Sequence, residues 1–439
     1  MPNIRAFIPI LFFVFALTLV RIPGFFLPHN HGDQLIYTAL AMQLDKTAGA
    51  KYSLRGADMK IRSDGHLFGL MPSAHGENGT LLAHLPAYYD SPLFHKPPLF
   101  SWLLVYSHRI FAGHDPAYPL IHVVPGMPLR VPVLIAAAPR QFYAQIVPFV
   151  FSITLIALTW MLGRMTRSSE AGLWAAAMIG FSALDILTAQ RIWADDPAAV
   201  FTTAALILYV VSCRRTSLLW PAAAGLACAA AFWTKPLGAL VWAALLGFEA
   251  ARSQKKFSRW AVLFFAGCLP VFPWLWKIFQ IYGSIWYIPA ADPQNQPVDT
   301  LWYHLTTERS AAVYVLNPLV QTPLLVLAVG AFFVFFKRRL ARQGMEERDL
   351  LPWCVLVYTA TLMLLPLGRE LRYLLPMYPL LAVMAAAGMT ELKELLTRRY
   401  PRFAWPGLLA ALGIISCGWS AMIGLRAVIT NASLIRFPL

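Results

Sequence analysis

A short stretch of the chain carries residue types that could move a group between a charged donor and an acceptor. Asp33 follows the first apolar run, and His95-Lys96-Pro97-Pro98-Leu99 stands just before Ser101-Trp102. A carboxylate can take a proton from an acceptor hydroxyl, and a lysine can neutralise an anionic leaving group. This combination predicts group-transfer chemistry, provided that the fold puts both segments on the same side of a membrane.

More charged residues stand at the ends of apolar runs, where an ionisable group costs free energy unless it is paired or hydrated. The cations are Arg140, Arg191, Lys235, Lys277, Arg369 and Arg372, and the acids near them are Asp195, Asp196 and Glu370. A single cation there could simply reach toward lipid head groups. The whole set predicts a shared anion site, because a phosphate binds arginine bidentately and lysine as a point charge.

The composition indicates that membrane-spanning helices position these residues. Of the 439 residues, 58% are hydrophobic and 13% are charged, and the mean hydropathy is +0.58. Apolar runs close to the roughly 20 residues needed to cross a bilayer recur along the chain. The net charge of +15 is attributed to basic cytoplasmic loops and not to nucleic-acid binding.

We predict an all-α fold with about eleven membrane spans, forming a single integral membrane domain over residues 1–439. The spans are expected near 6–27, 143–163, 171–190, 197–213, 218–234, 236–251, 260–281, 316–336, 351–367, 374–390 and 404–424. Basic clusters fall in every second gap, at 164–167, 214–215, 252–259, 337–348 and 393–402. The positive-inside rule makes these gaps cytoplasmic, with the N-terminus inside and the C-terminus outside.

Two outer loops follow from this topology, and both would be periplasmic in a bacterial inner-membrane protein. The first, residues 28–142, is too long for a simple connector. Its apolar spacing predicts a helix over 33–42 and another over 96–111, both lying along the membrane interface. Residues 46–92 are rich in Gly, His, Asp and Ser, which indicates irregular structure. The second outer loop covers residues 282–315.

Some of the acids also have structural interpretations. Asp33 could cap the helix that it opens, and a capped acid is also a positioned acid. Asp195-Asp196 before Pro197 could equally form the start of a helix, since proline is tolerated in the first turn.

The remaining candidates differ in how strongly they suggest function. Lys235 stands at a tight outer turn before Pro236, an unusual place for a lone lysine, which favours a functional role. Glu370 could serve only to pair with a neighbouring arginine. His29 and His31, with Asp33, have a spacing that a metal could use, but spacing alone is a weak signal.

Five segments in order along the chain resemble motifs of the GT-C glycosyltransferases. The resemblance is to the branch containing protein O-mannosyltransferases and the lipid A aminoarabinose transferase. The segments are Asp33-Gln34, His95-Lys96-Pro97-Pro98-Leu99 with Trp102, Arg191-Ile192-Trp193-Ala194-Asp195-Asp196, Thr234-Lys235-Pro236 and Arg372-Tyr373-Leu374-Leu375-Pro376-Met377-Tyr378-Pro379. Each motif is weak alone, whereas five in the same order, covering about residues 6–390, are fairly specific.

The resemblance implies a membrane enzyme that transfers a hexose or pentose from a polyprenyl-phosphate donor, such as an undecaprenyl phosphate sugar. The acceptor would be a lipid, glycan or protein on the periplasmic face, and the anomeric configuration would invert. Asp33 would be the general base. The donor phosphate would be bound by Lys96, Lys235, Arg372 and Arg191. The acceptor or the first loop would be positioned by Asp196, Asp195, His95, Glu370 and Tyr373.

The chain also departs from the family pattern. Gln34 replaces the second acid of the first motif, which removes any role that two carboxylates would share there. Residues 46–92 and 113–139 look inserted and could shape the acceptor site. The expected span count and the lack of a soluble C-terminal domain favour a less specialised bacterial relative over the aminoarabinose transferase itself.

Two other classes stay open at this point. A transporter or flippase of lipid-linked glycans should carry ionisable groups at mid-membrane and repeat symmetry, and here Asp185 is the main charge inside a predicted span. A non-catalytic membrane subunit would leave the outer acids replaceable. The chain lacks a nucleotide-binding fingerprint, so no nucleotide sugar or other cofactor is required, and a divalent metal is neither required nor excluded.

Overall fold

The computed structural model describes residues 13–25, 32–49, 52, 96–111, 131–252, 256–283, 285, 313–341, 344–364 and 371–429. Almost all of them lie in helices. In chain order these are α1 Phe13–Phe25, α2 Gly32–Lys46, α3 Leu99–Phe111, α4 Val131–Thr166, α5 Ser169–Gly180, α6 Ala183–Ala189, α7 Asp195–Arg214, α8 Leu219–Thr234, α9 Ala239–Ala251, α10 Phe257–Tyr282, α11 Val313–Gln321, α12 Ala328–Leu340, α13 Leu350–Leu364, α14 Tyr378–Arg399 and α15 Trp405–Ile429. Short 3-10 turns, Pro236–Gly238, Pro323–Leu327 and Leu371–Met377, lead into α9, α12 and α14.

The predicted all-α polytopic membrane fold is confirmed, but the count of eleven spans is not. Where the structure describes them, the predicted spans coincide with helices or broken pairs of helices. By length and composition, 5 helices among the described residues could cross a membrane, or up to 6 if the bent pair α5–α6 counts as one span. The five are Phe142–Thr166, Asp195–Arg214, Phe257–Ile281, Leu371–Arg399 and Trp405–Ile429.

The bend between α5 and α6 has a local cause. The chain turns by 58° there, because Ser182 starts a new helix instead of continuing the old one. Its side-chain oxygen accepts a hydrogen bond from the backbone N–H of Asp185 at 3.1 Å, the bond of an N-cap. The turn brings Asp185 into the protein interior beside the start of α7.

Both helices predicted in the first outer loop are present, as α2 and α3. They pack through an edge-to-face contact between the rings of Tyr37 and Phe100, whose centroids lie 4.9 Å apart. Buried Leu104 of α3 and Tyr143 of α4 extend the same apolar cluster to Ile192, which precedes α7. Most of the two expected insertions, and most of the second outer loop, lie outside the described residues.

The basic clusters are gathered at one end of the helix bundle, which we call the basic end. Arg214 donates to the backbone oxygen of Met165 at 2.8 Å and forms an ion pair with Glu347. Lys393 pairs with Glu170 at 2.5 Å. Loops that are distant in sequence therefore meet there, as the positive-inside pattern requires.

Candidate active site

Asp195 links two cations at the end of the bundle opposite the basic end. Its Oδ1 lies 2.5 Å from Nζ of Lys235, and its Oδ2 lies 3.9 Å from Nη1 of Arg372. The Asp195 side chain is 2% exposed, so the ion pairs are largely removed from water. The structure therefore brings together three residues that the sequence placed in one site from three separate motifs.

Aromatic rings surround these cations. Nζ of Lys235 lies 4.3 Å from the ring centre of Tyr373. The guanidinium of Arg372 lies 4.2 Å from the ring centre of Trp193, and that of Arg191 lies 5.1 Å from the same ring. Cations at these distances are attracted by the negative face of the ring. The rings thus hold Lys235, Arg372 and Arg191 without consuming their positive charge.

Arg191 carries the clearest electrostatic sign of an anion site. Burial, and then the nearby positive charge of Arg372, lower the pKa of Arg191 to about 9. Among the described residues, no carboxylate forms an ion pair with Arg191. Lys235, Arg372 and Arg191 thus bring three cationic side chains together around Asp195, an arrangement that can attract an anion.

The turn that presents Lys235 depends on a close backbone approach. Lys235 ends α8 in an extended conformation, and Pro236 begins the 3-10 turn that follows. A Cβ atom on Gly238 would lie 2.5 Å from the carbonyl carbon of Ala231, so only glycine fits. The lysine is therefore fixed between two packed helices and is not carried on a long loop.

The segment with Arg372 and Tyr373 is also held from behind. Both residues belong to the 3-10 turn Leu371–Met377 before α14. The hydroxyl of Tyr358, on α13, donates to the backbone oxygen of Tyr373 at 2.8 Å. This bond helps to hold the turn against α7, with which it packs.

Gln34 ties the first outer-loop helix to this cluster. Its Oε1 accepts a hydrogen bond from the backbone N–H of Ile192 at 3.2 Å, and the residue is 1% exposed. Asp33 is the second residue of the same helix, although its side chain lies outside the described atoms. The residue that departs from the family's acidic pair thus anchors the helix that carries the expected base beside the segment of Arg191.

Lys96 is buried against the same helix. Its side chain packs over Tyr37, with Nζ 4.6 Å from the ring centre, and the residue is 4% exposed. Its backbone oxygen accepts a hydrogen bond from the hydroxyl of Tyr52 at 2.6 Å. Lys96 therefore lies buried just before α3 and does not reach into solvent.

An apolar groove begins next to Lys96. Its volume is about 360 Å³. It runs between the start of α3, the outer half of α8 and the middle of α10. The lining residues are Pro98, Leu99, Trp102, Leu226, Ala229, Ala230, Trp233 and Pro270. Trp233 stands two residues before Lys235, so the groove and the cation cluster share the end of α8.

Asp196 lies deeper than Asp195. It is 0% exposed and accepts a hydrogen bond from the hydroxyl of Thr188 at 3.1 Å. Its carboxyl group faces Asp185, which forms an ion pair with Arg21. Asp185, the charge that would suit a transporter, is thus paired and without exposed surface. The expected role of Asp196 in positioning the acceptor or the first loop stays a prediction.

Four of the candidates lie outside the described residues: His95, Glu370, His29 and His31. Their roles stay predictions. In the part of the chain that the structure describes, no group of three or more His, Cys, Asp and Glu residues could hold a metal ion.

Sequence reasoning missed three residues of this region. Trp193 lies inside a recognised motif, but nothing in its spacing indicates that two guanidinium groups would pack against it. Gln34 was read only as a lost acid. Arg21 follows an apolar run like many flanking cations, and its pairing with Asp185, 164 positions away, has no local signal.

The chain resembles known proteins in sequence over part of its length and in fold over nearly all of it. Residues 94–288 match the family model for dolichyl-phosphate-mannose-protein mannosyltransferase. This range contains Lys96, Arg191, Asp195 and Lys235. No curated protein sequence matches the chain.

Solved structures match over most of the chain at low sequence identity. ArnT from Cupriavidus metallidurans in the apo state superimposes with a TM-score of 0.57 and 13% identity, covering 98% of this chain and 77% of that chain. The same protein bound to undecaprenyl phosphate gives a TM-score of 0.56, 13% identity and coverages of 96% and 78%. The Archaeoglobus fulgidus oligosaccharyltransferase AglB was solved in complex with an inhibitory peptide and a dolichol-phosphate. It superimposes with a TM-score of 0.59 and 10% identity, covering 96% of this chain and 56% of that chain.

These matches define a membrane protein with the GT-C fold. The resemblance inferred from the five motifs is confirmed in fold by ArnT and AglB and in sequence, over residues 94–288, by the match to the protein mannosyltransferase family model.

Proposed function

We propose that this protein transfers one sugar from a polyprenyl-phosphate donor to a lipid, glycan or protein acceptor on the periplasmic face of the bacterial inner membrane. The observation that carries the proposal is the gathering of three cationic side chains, Lys235, Arg372 and Arg191, beside Asp195 and the ring of Trp193. The donor is a phosphodiester and the released polyprenyl phosphate is a more highly charged monoester. Cationic side chains at this place favour the negative charge that develops on the phosphate as its bond to the sugar breaks.

The apolar groove supports a lipid-linked donor. Its apolar lining from Pro98 to Pro270 is suited to isoprenoid units, and Lys96 and Lys235 each stand two residues from a lining residue, Pro98 and Trp233 respectively. A phosphate seated at Lys235 would leave its lipid tail along α8 and α10. Two of the structural relatives were solved with undecaprenyl phosphate and dolichol-phosphate, which is consistent with a donor of this kind.

The catalytic step is a single in-line displacement at the anomeric carbon. The acceptor oxygen attacks and its proton passes to Asp33, the bond from the sugar to the phosphate oxygen breaks, and the configuration inverts. Lys96, Lys235, Arg372 and Arg191 neutralise the departing phosphate. The hydrogen bond from Ile192 to Gln34 supports this assignment, since it joins the helix of Asp33 to the segment that carries Arg191.

The test is a comparison of surface glycolipids and glycoproteins by mass spectrometry in cells with and without the gene. We expect one class of acceptor to lose the mass of a single sugar when the gene is deleted, and a Lys235→Ala gene copy to fail to restore it. A Lys393→Ala copy, altered at the basic end, should restore it. Loss of the sugar with the lipid-linked donor trapped on the cytoplasmic side of the membrane would instead indicate a flippase, and unchanged glycans would contradict the proposal.

A further inference from the structure

A second group of ionisable side chains lies behind the candidate active site and takes no part in the proposed displacement. Arg21, Asp185 and Asp196 are each 0% exposed. Arg21 donates from Nε to the hydroxyl of Ser152 at 2.8 Å, from Nη1 to the backbone oxygen of Leu17 at 2.7 Å, and from Nη2 to that of Gly180 at 2.8 Å. Its Nη2 also donates to Oδ2 of Asp185.

Too few hydrogen-bond donors surround the carboxyl groups of Asp185 and Asp196. Oδ2 of Asp185 accepts from Arg21 and, at 2.8 Å, from Ser152. Oδ1 of Asp185 and Oδ2 of Asp196 are buried, and neither receives a hydrogen bond from a protein donor. The two carboxyl groups nevertheless lie within hydrogen-bonding reach of each other. A contact between two carboxyl groups requires a proton between them.

The charge balance leads to the same conclusion. With both acids ionised, Arg21 would compensate only one of two buried carboxylates, and a buried unpaired charge is costly. We propose that Asp185 and Asp196 share one proton, held by Asp196 and donated to Oδ1 of Asp185. The network of Arg21, Asp185 and Asp196 is then neutral, and both of the unsatisfied oxygens gain a partner.

The shared proton makes Asp196 a positioning residue that acts through Asp195. The groups that face Asp196 are Asp185, Asp195 and Arg21, together with the hydroxyl of Thr188. A neutral Asp196 leaves Asp195 as the one charged acid at the start of α7. A second carboxylate directly behind Asp195 would weaken the attraction of the neighbouring cations for an anion.

Infrared spectroscopy of the full-length protein in a detergent without ester or acid groups tests the proton directly, because a protonated carboxylic acid has a C=O stretching band that a carboxylate lacks. We expect such a band at neutral pH in the wild type, shifted in D₂O and absent from Asp196→Asn. Asp349→Asn, which removes a buried acid paired with Arg338 and Arg339, should leave the band unchanged. A wild-type spectrum without the band, or a band that survives Asp196→Asn, would overturn the proposal.

Thermal melting against pH gives a second readout. A folded protein that holds a proton released by an unfolded aspartate above about pH 4 loses stability as the pH rises. The Asn side chain keeps a donor toward Asp185 and an acceptor for Thr188, so the Tm of Asp196→Asn relative to wild type should rise as the pH increases. The corresponding difference for Asp349→Asn should be flat. A flat difference for Asp196→Asn would contradict the proposal. Neither measurement depends on glycosyl transfer, so the outcome is independent of the proposed function.

Discussion

The carboxylate of Asp195 lies 2.5 Å from the ammonium group of Lys235, although the two residues are 40 positions apart and belong to different helices. The same carboxylate lies 3.9 Å from Arg372. The acid therefore neutralises part of the charge of the cation cluster. The mutational expectations for the donor site follow from this shared carboxylate.

Lys235→Ala should weaken the binding of polyprenyl phosphate by roughly ten- to a hundredfold, since a hydrogen bond to a charged group contributes about 1.5–3 kcal/mol. The change also removes the lysine partner of Asp195, so the negative charge of this carboxylate repels the ligand more strongly. Binding is measured in nanodiscs by fluorescence or calorimetry. Lys393→Ala, which breaks the pair with Glu170 at the basic end, is the control and should bind normally. Unaltered affinity in Lys235→Ala would refute its assignment to the phosphate.

Asp195→Asn should act in the opposite direction. Removing the carboxylate leaves Lys235 and Arg372 without their shared counter-ion, so polyprenyl phosphate should bind more tightly, by about tenfold or ~1.4 kcal/mol. Turnover should fall because the product is released more slowly. The affinity for polyprenyl phosphate tests the first effect, and the steady-state rate over many turnovers tests the second. Asp349→Asn removes a paired acid at the basic end and should change neither. Weaker product binding in Asp195→Asn would mean that the carboxylate mainly shapes the cluster.

Arg191 should make anion binding sensitive to alkaline pH. Its pKa of about 9 lies below that of a free arginine because burial and Arg372 disfavour its charged form. The charged form attracts phosphate, so affinity should fall as the pH rises through this value. The charge of a phosphate monoester is constant in that range, since its second pKa is about 6. Arg191→Ala should bind more weakly and lack this step. An identical pH profile in both proteins would exclude Arg191 from the site.

Ala230→Phe should separate lipid recognition from phosphate recognition. Ala230 lines the groove, and a phenyl ring there would occupy the space assigned to the isoprenoid chain. Polyprenyl phosphate should therefore bind more weakly to the variant. Inorganic phosphate should compete with it for the cation cluster as well as it does in the wild type. Equal loss for both ligands would point to a general distortion of α8, and no loss for either would place the lipid elsewhere.

Much of the architecture was accessible from sequence because apolar runs and alternate basic clusters are local signals. The helices α2 and α3 were predicted from apolar spacing, and the meeting of Asp195, Lys235 and Arg372 was anticipated from ordered motifs. The pairing of Arg21 with Asp185 was not, since it joins positions 164 apart through a bend that starts at Ser182. The role of Gln34 was missed because its partner is a backbone N–H, which no side-chain pattern reveals.

The most direct test of the proposed reaction is sugar transfer by the purified protein and by Asp33→Asn. Both proteins would receive a synthetic polyprenyl-phosphate sugar and the acceptor identified from the envelope comparison. Asp33 lies in the first turn of α2, where replacing the acid by the similarly shaped Asn costs at most about 1 kcal/mol of helix-dipole stabilisation, so the variant should melt nearly like the wild type. We predict that the wild type forms an acceptor-linked sugar of inverted anomeric configuration, and that Asp33→Asn forms it roughly 10²–10⁴-fold more slowly. A normally folded Asp33→Asn within a few-fold of the wild-type rate would contradict the assignment of the base, and a wild type that leaves the donor intact would contradict the proposed function itself.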